Sequence, residues 1–443
     1  MTSTLDRRSF GLDGGHGAAI PETLPHLAEW PRVESLVRRD EAVERRVADL
    51  LATMSLAEKV GQITQPEIQS ISPDEVRDHH IGSILNGGGS WPGRKKQATP
   101  AEWVAAADAY WQASVDGSTA GIPLVWGIDS VRGNTHAFGG TLFPHNVGLG
   151  AARNPALVRE IGAATARQTR ATGQDWVFAP CLAVPQDYRW GRTYEGYSGD
   201  PRLVLAYGYE AVIGLQGDSP AGPTGDGVIA TAKHYIGDGA TEGGRDQGVA
   251  AVSEDVMRNV HAQGYYGALA AGAQTVMASF NSWDAAAEGI AEGKLHGSHY
   301  ALTTILKDRL GFDGVVVSDW NGVGQVGGCT NASCARAINA GIDVVMVPTD
   351  WKDFLTNTIA QVESGEIPME RLDDAVARIL RVKIRAGVLD APKPSERALA
   401  GDPSALDARE LARRAVRESL VLLKDDADVL PLARSARVLV VGE

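Results

Sequence analysis

The 443-residue sequence predicts an α/β protein whose parallel strands close into a β/α barrel. Three observations carry this. Seven short apolar runs, rich in β-branched residues and without alternation, recur at 81–88, 123–129, 176–184, 228–235, 275–280, 314–320 and 342–348. Such runs belong to strands buried on both faces, as in parallel sheets. Amphipathic stretches such as "NPALVREIGAATARQTRATG" and "YALTTILKDRLG" lie between them, and strand–helix alternation is the pattern of a sheet covered by helices. Finally, no Walker motif is present and no G-x-G-x-x-G follows a strand, which favours a barrel over a doubly wound sheet.

Residues 1–40 read as an N-terminal extension. Its start, "MTSTLDRRSFGLDGGHGAA", holds a twin arginine, Arg7 and Arg8, with no apolar run behind it, so as written it is not an export signal. The barrel is assigned to 41–390. It begins with the helix "EAVERRVADLLATM", which places Val43, Val47, Leu50, Leu51 and Met54 on one face. Ser55 and Glu58 of "SLAE" form a capping-box pattern that starts the next helix.

Hydrophobic residues make up 44% and charged residues 22% of the chain, ordinary for a globular protein with a sizeable core. A net charge of -13 argues against nucleic-acid and anionic-membrane partners and leaves a neutral or cationic small substrate. No run approaches membrane-spanning length. Three cysteines cannot build a disulfide framework. Cys329 and Cys334 in "GGCTNASCAR" either bridge a local loop or stay free, and no further Cys or His completes a zinc set. Cys181 reads as a small core residue.

The apolar runs end, on their C-terminal side, in polar or special residues: Asn86, Asp129, Lys233-His234, Phe280-Asn281 and Asp319-Trp320. Taken singly, a strand-end Asp often caps the next helix. In a β/α barrel, however, the active site is built at that end from several strands. Carboxylates, cations and an indole together suit a neutral polyhydroxylated ligand, whose hydroxyls bond the charges and whose apolar ring face stacks on the indole.

These residues lie in motifs that resemble glycoside hydrolase family 3, the β-glucosidases and exo-β-glucanases. The motifs are "VADLLATMSLAEKVGQIT", "GIDSVRG", "TLFPHNVGLGAARNP", "RWGRTYEGYSGDP", "AKHYIGDG", "GVVVSDWNG", "AGIDVVMVP" and "RLDDAVARILRVKIRAGVLD". Together with "ARRAVRESLVLLKDDADVLPL" they cover about residues 40–443, and the likeness is closest to the exo-1,3/1,4-β-glucanase branch. The resemblance implies a (β/α)8 barrel and a retaining, cofactor-free and metal-free enzyme acting on β-glucosides or β-glucan oligosaccharides. It implies that Asp319 is the nucleophile that forms a covalent glycosyl-enzyme. Trp320 would clamp the leaving sugar, while Asp129, Arg192, Lys233 and His234 would hold the non-reducing glucosyl unit.

The pattern is not followed everywhere. Phe280 stands where plant relatives show Tyr, and Gln247 where some carry Glu, so no acid/base role passes to Gln247. The loop "KHYIGDGATEGGRDQ" has Asp238 and Asp246 where the N-acetylglucosaminide-cleaving branch has histidines, which disfavours that substrate class. In the glucosidase branch the acid/base Glu comes from a following α/β sandwich domain. On that basis 391–435 is a linker and helix, and 436–443, with "VLVV", the first strand of a truncated sandwich. Two other readings stand beside the glucosidase: a catalytically impaired sugar-binding barrel, and a lyase or aldolase using Lys233 as a Schiff base.

Overall fold

Every apolar run contributes to a short parallel strand, and one further strand precedes them. The computed structural model describes residues 4–5, 27–426 and 429–441. Its strands are β1 (Thr64–Gln65), β2 (Ser83–Asn86), β3 (Val125–Ile128), β4 (Trp176–Val177), β5 (Ile229–Tyr235), β6 (Thr275–Ala278), β7 (Val315–Val317) and β8 (Val345–Met346). β2 to β7 pair side by side in chain order, and β8 pairs with β1. Isolated parallel bridges, Glu67↔Leu85 and Val317↔Val344, join β1 to β2 and β7 to β8. The protein is therefore α/β with a strongly curled parallel sheet, and helices such as Pro100–Gly117, Pro155–Ala171, Pro201–Gln216 and Met369–Arg385 lie outside it.

Side chains fill the interior of the curl. The Trp176 indole donates to Thr231 Oγ1 at 2.8 Å and Thr275 Oγ1 at 3.1 Å, satisfying its one polar atom inside the core. A Cβ at Gly127 would sit 2.4 Å from the Phe178 ring, so only glycine fits there. The Ser55–Glu58 capping box forms as the sequence indicates and starts the helix Leu56–Gln62.

The structure corrects the sequence reading in several places. The seven apolar runs omit an eighth strand, β1, which is two polar residues directly after a helix and carries no apolar signal. The run 176–184 forms a strand only over Trp176–Val177; Pro180 has no N–H to continue the ladder, and beyond it an isolated bridge joins Cys181 to Lys233. "YALTTILKDRLG" winds as a π-helix over Tyr300–Arg309. Val249–Ala250, Ser282–Ala285 and Ile290–Lys294 form a small separate sheet.

Of the extension 1–40, residues 1–3 and 6–26 lie outside the described residues. The remainder is anchored: Trp30 is fully buried, and its indole and the Tyr300 hydroxyl both donate to Glu254 Oε1 at 2.6 Å. Cys329 and Cys334 are disulfide-bonded, and Cys181 is a buried free thiol. Beyond the helix Arg409–Glu418, Val438 to Val441 are 64–89% exposed and carry no strand pairing among the described residues.

Lys383, on the helix Met369–Arg385, is 1% exposed and donates to Gln62 Oε1 at 2.8 Å and Pro123 O at 2.9 Å. Burial alone brings its amine down to about 7. The unfolded chain holds that proton up to about 10.4. Between these values the unfolded state binds more protons, so this lysine makes stability climb with pH by up to about 1.4 kcal/mol per unit. Urea midpoints at several pH values should show that slope reduced in Lys383→Met. Parallel profiles for the two proteins would contradict it.

Candidate active site

The β7 ladder ends at Val317, and the chain turns sharply through Ser318, Asp319, Trp320 and Asn321. Asn321 takes the left-handed conformation at φ 54°, which asparagine tolerates better than most residues. The Gly322 N–H donates to Asp319 O at 2.9 Å and closes the turn. A Cβ at Gly322 would lie 2.3 Å from His296 Nε2, so glycine is required above that ring. His296 in turn accepts the Asp319 N–H at 3.0 Å, and the Trp320 N–H donates to Asp319 Oδ1 at 2.6 Å. The turn thereby fixes the carboxylate at the mouth of the curled sheet.

Residues from three other strand ends converge on it. Lys233, pointing inward from β5, donates to Asp129 Oδ1 at 2.6 Å, just beyond the end of β3. His234 Nε2 lies 3.8 Å from Asp319 Oδ2 and 3.1 Å from Arg192 Nη2. Arg192, on the loop after β4, forms a two-pronged pair with Glu195, its Nε and Nη2 donating at 2.8 and 3.0 Å. So five of the sequence candidates, Asp129, Arg192, Lys233, His234 and Asp319, form one cluster. Arg192 thus serves two partners, Glu195 and His234.

The other two candidates lie at the rim. The Trp320 side chain is 40% exposed and its ring edge lies across Gly87, where a Cβ would come within 2.8 Å of it. Phe280 packs against His296, with ring centroids 5.7 Å apart, and its carbonyl accepts from Lys294 at 2.9 Å.

Electrostatics separate the two pocket carboxylates. Burial disfavours the charge on Asp129, yet Lys233 at contact distance outweighs it and holds the group below the usual carboxylate range. The Asp129 side chain is 49% exposed, so a ligand can reach it. Burial also opposes the Lys233 charge, and Asp129 overcomes it, keeping the ammonium fully protonated. That cation lacks the free amine a Schiff-base lysine needs, which removes the support for the lyase reading. For Asp319 burial prevails over Lys233, the Trp320 N–H and Arg192, and its carboxyl is pushed up to about 6. His234 is held neutral by burial and by Arg192 and Lys233.

A carboxylate with a raised value weakens the fold that holds it. Between the unfolded value near 3.9 and about 6 the native state binds more protons, so stability falls as pH rises through that window. Asp319→Asn is therefore expected to gain about 1–3 kcal/mol at pH 7. Thermal or urea unfolding should show the gain shrinking towards pH 4, and a variant less stable at pH 7 would contradict the burial argument.

Three contributors escape the sequence reading as parts of the site. His296, 23 residues before Asp319, carries no strand-end signal. Glu195, on the same loop as Arg192, carries no strand-end signal either. Asp238, whose Oδ2 lies 3.1 Å from His234 Nδ1, bears there only on substrate class. Among the described residues no group of three or more His, Cys, Asp or Glu is arranged to hold a metal ion.

Residues 55–382 match the glycosyl hydrolase family 3 N terminal domain. The lysosomal beta glucosidase of Dictyostelium discoideum is 32% identical over 87% of the chain and 49% of its own length. The exo-1,3/1,4-beta-glucanase ExoP of a Pseudoalteromonas species is 48% identical at a TM-score of 0.87, over 91% of this chain and 50% of that one. A Listeria innocua beta-glucosidase solved in complex with glucose is 27% identical at a TM-score of 0.75, over 88% of this chain and 53% of that one. The chain thus spans about half the length of the relatives it matches. Through its N terminal domain, the chain belongs to glycosyl hydrolase family 3.

Proposed function

We propose that this chain is the (β/α)8 catalytic barrel of a retaining, exo-acting β-glucosidase or β-glucan glucohydrolase that removes glucose from non-reducing ends. The observation that carries the reading is the Asp319 turn, which aims an ionisable carboxylate at the same cavity as the Asp129–Lys233 pair. Asp129 and Lys233 would bind glucosyl hydroxyls by charged hydrogen bonds, with Arg192 and His234 completing the pocket. Asp319 would attack the anomeric carbon, expelling the aglycone, and water would then release glucose with retention. Trp320 would stack on the leaving sugar.

Retaining hydrolysis takes a second carboxyl group about 5–5.5 Å from the nucleophile. Within the cluster, Asp129 is committed to Lys233, Glu195 to Arg192 and Asp238 to His234. We assign the proton donor to the region that corresponds to the other half of the relatives' length, in keeping with a sandwich domain that 436–443 would enter. The barrel reads as 41–390 and the linker as 391–435.

The nucleophile must be ionised, so glycosylation should fall as pH drops through about 6. The 443-residue chain itself is expected to bind glucose or gluconolactone weakly. Aryl β-glucosides with acidic phenols should glycosylate it slowly, since a good leaving group needs little protonation. Azide should accelerate that turnover and yield β-glucosyl azide. Binding without any glycosylation would favour the sugar-binding reading, and absence of both would overturn the assignment.

A further inference from the structure

The pocket contains a carboxylate that the mechanism above leaves unused. Asp238 is 7% exposed and lies on the turn that leaves β5, four residues after His234. The turn is strapped to the neighbouring loop: Gln186 N–H donates to Gly239 O at 3.1 Å, and a Cβ at Gly239 would lie 2.7 Å from Val184 O. Asp238 Oδ1 accepts the Gly239 N–H at 3.0 Å. Its other oxygen, Oδ2, faces His234 Nδ1 at 3.1 Å.

The proton positions follow from the partners. Arginine has only donors, so His234 Nε2, 3.1 Å from Arg192 Nη2, must be the accepting nitrogen. A neutral imidazole carries one proton, which then sits on Nδ1 and is donated to Asp238. His234 Nε2 also lies 3.8 Å from Asp319 Oδ2. In this tautomer, with its lone pair taken by Arg192, it presents no N–H to that oxygen.

We propose that Asp238 is a positioning residue that locks His234 in the Nδ1–H tautomer and so keeps a hydrogen-bond donor away from the reacting oxygen of Asp319. With the proton on Nε2 instead, the ring would meet the Arg192 N–H donor against donor. It would also turn its N–H towards Asp319 Oδ2, 3.8 Å away, and that partial positive charge would dampen the nucleophilicity of the carboxylate. The charged and titratable groups facing the pair are Arg192, Glu195, Lys233, His296, Cys181 and Tyr265. Arg192 and Glu195 are paired with each other, and Lys233 with Asp129, so Asp238 is the acceptor left for Nδ1–H.

Asp238→Asn tests this with little change of shape. The Gly239 N–H claims the side-chain oxygen, so the amide NH2 faces His234 Nδ1 and drives the proton to Nε2. Long-range ¹H–¹⁵N correlation on the histidine-labelled 443-residue chain reads the tautomer, with His234→Gln identifying the signal. Nδ1–H is expected in the native chain and Nε2–H in Asp238→Asn. The catalytic consequence rests on the glucosidase reading. Labelling by dinitrophenyl 2-deoxy-2-fluoro-β-glucoside should be at least about tenfold slower in Asp238→Asn. An Nε2–H signal in the native chain, or an unchanged Nδ1–H signal in the variant, would overturn the proposal. So would a tautomer switch that left the labelling rate unaltered. A native chain that resists labelling altogether would count against the glucosidase reading alone, with the tautomer still decided by the spectra.

Discussion

Asp319→Ala is expected to lower turnover of aryl β-glucosides on the order of 10⁵-fold, in whatever length of the protein turns them over. The size follows from the chemistry. Without the carboxylate no glycosyl-enzyme forms, and what remains is binding energy from the rest of the pocket. The loss should fall on kcat, because Asp129, Lys233 and Arg192 still hold the sugar. Stability should not drop in parallel, since the substitution removes a buried carboxylate whose charge the pocket only partly compensates. A variant retaining activity within tenfold of the parent would show that another group attacks the anomeric carbon.

The second large effect is expected at Asp129. A charged hydrogen bond to a sugar hydroxyl is worth about 1.5–3 kcal/mol, so Asp129→Ala should reduce kcat/KM about tenfold to 150-fold. A further consequence distinguishes a site residue from a structural one. Lys233 loses its partner at 2.6 Å and becomes available to Asp319, while the repulsion of Asp129 on Asp319 disappears. Both changes favour ionised Asp319, so the acid limb of the pH profile should move below its starting point near 6. A fall of less than threefold in kcat/KM, or an unmoved acid limb, would place Asp129 outside the machinery.

The strand-end pattern of the sequence finds most of the candidate cluster because a curled parallel sheet brings the C-terminal ends of its strands to one mouth. Asp129, Lys233, His234 and Asp319 are legible for that reason, and their motifs supply the family. Arg192 lies on a loop and is found by motif alone. His296 meets the Asp319 N–H through a ring nitrogen and Asp238 meets His234 through a carboxylate oxygen, and such contacts depend on how loops fold back, which no periodicity records. The eighth strand is hidden on similar grounds: two residues, Thr64 and Gln65, are too few to show a pattern. Charge balance is only half legible. Basic neighbours of Asp319 are expected from its role, but burial outweighs them and leaves its carboxyl raised.

On the proposed mechanism a carboxylate oxygen of Asp319 carries the glucosyl group as a covalent ester. Incubation with dinitrophenyl 2-deoxy-2-fluoro-β-glucoside, followed by peptide mass spectrometry, tests it directly, because the fluorine slows release of the intermediate more than its formation. One added fluoroglucosyl group is expected, on the peptide containing Asp319. The label on any other carboxylate, Asp129 or Glu195 included, would contradict it.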